Sequence, residues 1–242
     1  MIRHTRRIFR ALERHELKDS LTLLFGKPWT GKTERMLHEI RQERRVLLVD
    51  PKCSQLSQLR GWEHVWPEVQ ATLDSKGVSL WTDDRVLHSL SSEKPFRTIV
   101  HFRNFHRVQL NLLCRVAMGV KNCVLAIDEL SLFVPPGPAG ALPANITSAV
   151  VSGSHDGLRI IGTSQRPSLV HATLRANANR MLMYRVTEPA DVDALRSYLP
   201  LDFYDVLPRL PDFVCVDWHD GRECFVDYSL RGKLHCLPAL RA

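Results

Sequence analysis

The chain lacks several things that would send its reading elsewhere. No uncharged apolar run reaches the roughly 18 residues of a membrane-spanning helix, and no apolar core follows the basic start as it would in a secretory leader. The six cysteines, Cys53, Cys114, Cys123, Cys215, Cys224 and Cys236, form no C-x-x-C pair and show no zinc spacing. They read as reduced thiols of a cytoplasmic protein. Cys215 and Cys224 flank the turn His219-Asp220-Gly221 of an expected C-terminal hairpin, as ordinary strand thiols. No Gly/Ser-rich linker divides the 242 residues, so the expectation is a basic segment over 1–20 and one domain over 21–242.

What is present begins with charge. A net charge of +7 and a pI near 9.3 favour an anionic partner. Between Gly157 and Thr187 stand five arginines, Arg159, Arg166, Arg175, Arg180 and Arg185, and no acid. Two readings of that run stay open: a surface for nucleic-acid backbone or a neighbour's phosphates, or arginines met by acids from elsewhere in the chain. Arg3, Arg6, Arg7 and Arg10, with Ile2, Ile8, Phe9, Leu12 and Leu17 between and after them, suggest a short amphipathic helix. Packing on the chain's own core and docking on an anionic membrane or partner are both open to it.

The most informative residues are Gly26-Lys27-Pro28-Trp29-Thr30-Gly31-Lys32-Thr33, which fill every fixed position of G-x-x-x-x-G-K-[ST]. Leu21 to Phe25 reads as a buried strand before them, and Met36, Leu37 and Ile40 give the following segment a helical period. Glycines let backbone N–H groups close around phosphates, and the helix N-terminus favours an anion. Lys32 then faces the β- and γ-phosphates of ATP, and the Thr33 hydroxyl is a ligand for Mg²⁺.

Hydrolysis needs a metal carboxylate and a group that orients water. Cys123-Val124-Leu125-Ala126-Ile127 reads as a strand buried on both faces, with Asp128-Glu129 where it ends, a Walker B pattern. Asp128 suits Mg²⁺, and Glu129 suits polarising the attacking water. A further apolar run, Leu158 to Ile161, ends in Gly162-Thr163-Ser164-Gln165, which puts the Gln165 amide at the carboxyl edge of a neighbouring strand, where ligands of open α/β sheets sit.

Together the phosphate loop, Asp128-Glu129 and the stretch Gly157 to Ser168, with its Gln165-Arg166-Pro167, resemble the FtsK/HerA superfamily of ring-forming DNA-translocating ATPases. The resemblance covers roughly Leu21 to Leu195. Within it the compact chain is most similar to the genome-packaging ATPases of tailless icosahedral viruses with an internal membrane. It implies ATP and Mg²⁺ as cofactors, γ-phosphate sensing by Gln165, double-stranded DNA as partner, and a homo-oligomeric, hexameric ring. It also implies capsid-vertex or internal-membrane proteins as further contacts, and an arginine entering in trans, for which Arg103, Arg107 and Arg166 are candidates in that order. Pro28 and Trp29 depart from the smaller residues expected inside the loop.

The expected fold is α/β, a P-loop NTPase with a mainly parallel sheet flanked by helices, a RecA-like core, and a C-terminal β-hairpin. Arg45 to Asp50 and Arg97 to Phe102 read as further strands, and a helix rich in Leu110, Leu112, Leu113, Val116 and Ala117 follows the second. Trp62, Trp66 and Trp81 read as core or edge anchors. Pro135, Pro136, Gly137, Pro138, Gly140 and Pro143 make Leu132 to Asn145 an irregular loop at the functional edge, open to a role in DNA or subunit contact. Against the translocase stand a filamentous-phage type of assembly or extrusion ATPase, which normally carries a membrane span, and a small-molecule kinase, which the adjacent Glu129 and Gln165 disfavour.

Overall fold

The structure is a computed structural model that describes residues 20–52, 56, 59–65, 72–74, 77–79, 94–102, 107–138, 141–200, 203–220 and 224–227. The basic segment up to residue 19, Trp66, Trp81, Arg103, Cys53 and Cys236 lie outside these residues.

Eleven strands are described: β1 Leu21–Phe25, β2 Arg45–Val49, β3 Glu63–Val65, β4 Thr72–Asp74, β5 Gly77–Ser79, β6 Phe96–Val100, β7 Val124–Ile127, β8 Arg159–Ser164, β9 Arg180–Met183, β10 Cys215–His219 and β11 Phe225–Asp227. Nine form one sheet in the order β11-β10-β9-β1-β8-β7-β2-β6-β3, and β4 pairs with β5 apart from it. From β9 to β3 every pairing is parallel; the antiparallel pairings of this sheet are β9 with β10 and β10 with β11, the second being the expected C-terminal hairpin. In its register Cys215 faces Asp227 rather than Cys224, and both thiols are free.

Parallel strands buried on both faces read as continuous apolar runs, and alternate side chains go to opposite layers. In β1, Leu21, Leu23 and Phe25 join one core and Leu24 the other. The first core takes its helical cover from α2 (Arg107–Val120) and α3 (Ala144–Ser152), through Leu110, Leu113, Ala117, Ile146 and Ala149. The second is covered by α1 (Lys32–Ile40), through Met36 and Ile40. Two shorter helices, α4 (Ala172–Ala176) and α5 (Pro189–Leu195), are also found among the described residues.

The proline-rich stretch forms no helix or strand in its described residues from Phe133 to Pro143, and α3 starts at Ala144, so the last two residues of the expected loop, Ala144 and Asn145, are helical. It is not wholly a surface loop: Phe133 and Val134 are buried in the first core, while Pro136, Gly137 and Pro138 are exposed. Trp62 is half-buried beneath the Arg97 guanidinium, 5.8 Å from its ring centre, as an anchor rather than a free stacking face.

Candidate nucleotide site

The strand order places the site. β8 lies between β1 and β7, so the carboxyl ends of three parallel strands bring the glycine loop, Asp128-Glu129 and Gln165 side by side. The loop between β1 and α1 is pinned on two sides. Gly26 N–H donates to the Ser164 carbonyl (3.3 Å), Lys27 N–H to that of Arg185 (3.0 Å), and Phe213 N–H to that of Thr30 (2.9 Å). Two glycines are required here. Gly31 has φ +103°, and a Cβ there would stand 2.6 Å from the Phe213 ring; one on Gly26 (φ +149°) would meet Tyr184 at 2.6 Å. Thr30 is buried and donates to the Lys27 carbonyl (2.8 Å). Pro28 and Trp29 form the outward tip, Trp29 85% exposed with a left-handed φ of 65°, so their bulk lies outside the cradle.

Lys32 opens α1, is buried, and donates from Nζ to the Lys27 carbonyl (2.7 Å). Burial lowers its pKa to about 8 against the opposing pull of Glu129 and Asp128. A buried ammonium at the start of a helix that follows a glycine loop fits a polyphosphate. Thr33 Oγ1 lies 3.4 Å from Asp128 Oδ1, which also accepts from Thr163 Oγ1 (2.7 Å). Burial pushes the Asp128 carboxyl up, the Thr163 hydrogen bond opposing it; a buried acid beside a hydroxyl fits a hard cation such as Mg²⁺. No group of three or more His, Cys, Asp or Glu among the described residues is arranged to hold a metal, so phosphate oxygens and water would complete the shell.

Glu129 has φ 52° and ψ 53°, a left-handed conformation uncommon for a side-chain-bearing residue. Its N–H donates to Thr163 Oγ1 (3.0 Å), and Oε1 accepts from Gln165 Nε2 (3.0 Å). Oε2 lies 3.6 Å from Lys52 Nζ. Lys52 and Thr163 had not been singled out from the sequence. Thr163 was legible as a small polar residue at a strand end, whereas Lys52 reaches the site only because β2 neighbours β7.

Of the two readings of the arginine run, internal pairing is the one found. Arg159 pairs with Glu39 (3.3 Å) and Glu43 (2.9 Å), Arg166 with Asp191 (3.0 Å), and Arg185 with Asp212 (2.7 Å). Arg180 pairs with Asp217 (2.5 Å) and Glu39 (3.3 Å), and Arg175 donates to the Pro167 and Val170 carbonyls. The acids come from α1 and the turn after it, from α5 and from the segment around β10, all outside the run itself. Arg107 is exposed at the start of α2, and Arg103 is not among the described residues.

No protein-family model matches the chain, and no curated protein matches it. Solved structures do. The genome packaging NTPase B204 from Sulfolobus turreted icosahedral virus 2, in complex with sulfate, is 14% identical with a TM-score of 0.66, over 86% of this chain and 96% of that one. The same protein in complex with ATP-gammaS gives 0.63, at 14% identity over 87% and 97%. The plasmid coupling protein TrwB, in complex with the non-hydrolysable GTP analogue GDPNP, is 11% identical with a TM-score of 0.61, over 91% of each chain. At these identities the likeness is one of fold, to a genome packaging NTPase and a plasmid coupling protein. The chain has the P-loop NTPase fold, with a mostly parallel sheet flanked by helices.

Proposed function

We propose that the chain hydrolyses ATP and uses the energy to translocate double-stranded DNA, as the motor subunit that drives a viral genome into a capsid. The observation that supports this most is the convergence of Lys32, Thr33, Asp128, Glu129 and Gln165 at the carboxyl ends of β1, β7 and β8. Residues 26–33 enclose the phosphates, with Lys32 on the β- and γ-phosphates. Thr33 and Asp128 would hold Mg²⁺, which would supply charge to offset that of the phosphates. Glu129 takes a proton from the water whose oxygen attacks the γ-phosphorus, while the bond to the bridging oxygen breaks and ADP leaves. Gln165, bonded to Glu129, reports whether a γ-phosphate is there. In a homo-oligomeric, hexameric ring Arg103 enters the neighbouring site, with Arg107 next in order; Arg166 ranks last because Asp191 already holds it.

The internal pairing of the arginine run favours one second reading, an assembly or extrusion ATPase that remodels protein. A membrane span is the usual mark of that class, and no helix among the described residues is long and apolar enough to cross a membrane. The separating experiment is ATP turnover by size-fractionated oligomers with and without double-stranded DNA. Stimulation confined to an oligomeric fraction, falling steeply with salt as released counterions demand, supports the translocase. Turnover indifferent to DNA at every ionic strength rejects it.

A further inference from the structure

Glu129, the residue assigned to the attacking water, has both carboxylate oxygens occupied: Gln165 donates to Oε1 (3.0 Å) and the Lys52 ammonium faces Oε2 (3.6 Å). An ammonium against a carboxylate oxygen competes with a water for that oxygen. Something must draw that cation away before Glu129 works at full strength. The three groups around the carboxylate are not equally free to move. Gln165 is half-buried at the end of β8, and Lys32 is buried under the glycine loop. Lys52 is rooted just beyond β2, its side chain is 46% exposed, and a flexible four-carbon stem carries its charge. That charge is felt by both Lys32 and Asp128, the residues that flank the place of the terminal phosphates. A γ-phosphate bears more charge than one carboxylate and offers more acceptor oxygens.

The geometry points to Lys52 as a second phosphate-reading cation that moves from Glu129 to the γ-phosphate, so that the base is released only when a nucleoside triphosphate, and not a diphosphate, is bound. This rests on the hydrolase reading of the site and adds a residue and a gate to it. Lys32 meets β- and γ-phosphates alike, whereas Lys52 distinguishes the substrate from the product. After hydrolysis and phosphate release, Lys52 returns to Glu129.

Binding tests this separately from turnover. Mg²⁺ with ATPγS and Mg²⁺ with ADP are titrated into the full chain as wild type, Lys52→Ala and Lys52→Arg, and ATP turnover is measured on each. Loss of one charged hydrogen bond predicts that Lys52→Ala binds ATPγS about tenfold more weakly while ADP affinity stays within about twofold. Turnover by Lys52→Ala falls, and Lys52→Arg recovers most of the ATPγS affinity, which a lost packing contact would not. Equal weakening for both nucleotides, no weakening for either, or faster turnover by Lys52→Ala at unchanged ATPγS affinity overturns the gate and leaves the hydrolase reading standing. A wild-type protein that binds neither nucleotide overturns both.

Discussion

Helix α1 carries two clusters of charge about a turn apart, and they face opposite kinds of partner. At its first turn Thr33 lies 3.4 Å from Asp128, and the buried Lys32 ammonium holds only the Lys27 carbonyl, with no carboxylate paired to it. From Arg35 to Glu39 the same helix enters a closed network. Arg35 pairs with Asp227 (2.6 Å) and Glu39 (2.7 Å), Arg180 with Asp217 (2.5 Å) and Glu39 (3.3 Å), and Arg159 with Glu39 (3.3 Å) and Glu43 (2.9 Å). There the charges satisfy one another and fasten α1 to β8, β9 and the C-terminal hairpin. Proximity of charge therefore does not mark function. A buried cation with only a backbone carbonyl to hold does.

The comparison breaks first at Lys32. Removing its ammonium should weaken ATP binding on the order of 100-fold, the loss of charge-assisted bonds to phosphate, while the melting temperature changes little. Equilibrium titration with a fluorescent ATP analogue reads the first and calorimetry the second. Asp217→Ala should do the converse. It takes the nearer of two carboxylate partners from Arg180 in a buried network and should cost about 3 kcal/mol of stability, seen as a lower denaturant midpoint, with nucleotide affinity unchanged below the unfolding transition.

Protonation sharpens the contrast because the two clusters titrate at opposite ends of the scale. Burial alone raises the Asp217 carboxyl, but hydrogen bonds from Arg180 and His219 outweigh it and bring it down to about 2, from an ordinary 3.8. A depressed acid stabilises the fold above its unfolded pKa, so about 2 kcal/mol should be lost as pH falls from near 4 through 2. Lys32, lowered to about 8, runs the other way. Below that pH it is charged before ATP arrives and affinity should be flat. Above it, phosphate must recapture a proton, so affinity should fall up to about tenfold per pH unit with measurable proton uptake. The smallest effect is expected at Trp29, whose 85% exposure at the loop tip makes Trp29→Ala change stability by less than about 0.5 kcal/mol in chemical denaturation.

The phosphate loop, the Asp128-Glu129 strand end and Gln165 were all legible because each rests on short-range geometry: a turn, a strand and the residue that ends it. The alternating layers followed from apolar runs, as did α2 with Leu110 and Leu113 in the core. Sheet order was not legible. That β8 separates β1 from β7 is a long-range outcome, and with it came the Gln165–Glu129 bond, the approach of Lys52, and Thr163 bridging the Glu129 N–H and Asp128. The arginine run left two readings open for the same reason. Its acids, Glu39, Asp191, Asp212 and Asp217, lie outside the window in which the bias stood out, and only folding brings them back.

The most direct test of a catalytic rather than structural role for the open cluster is phosphate release by Glu129→Gln at saturating Mg²⁺ and ATP, with bound nucleotide measured in the same samples. The amide keeps the size and the place of the side chain but cannot take a proton from water. The account predicts ATP binding close to wild type and phosphate release slowed by about 10² to 10⁴. Wild-type release at full occupancy would contradict it and remove Glu129 from the chemistry.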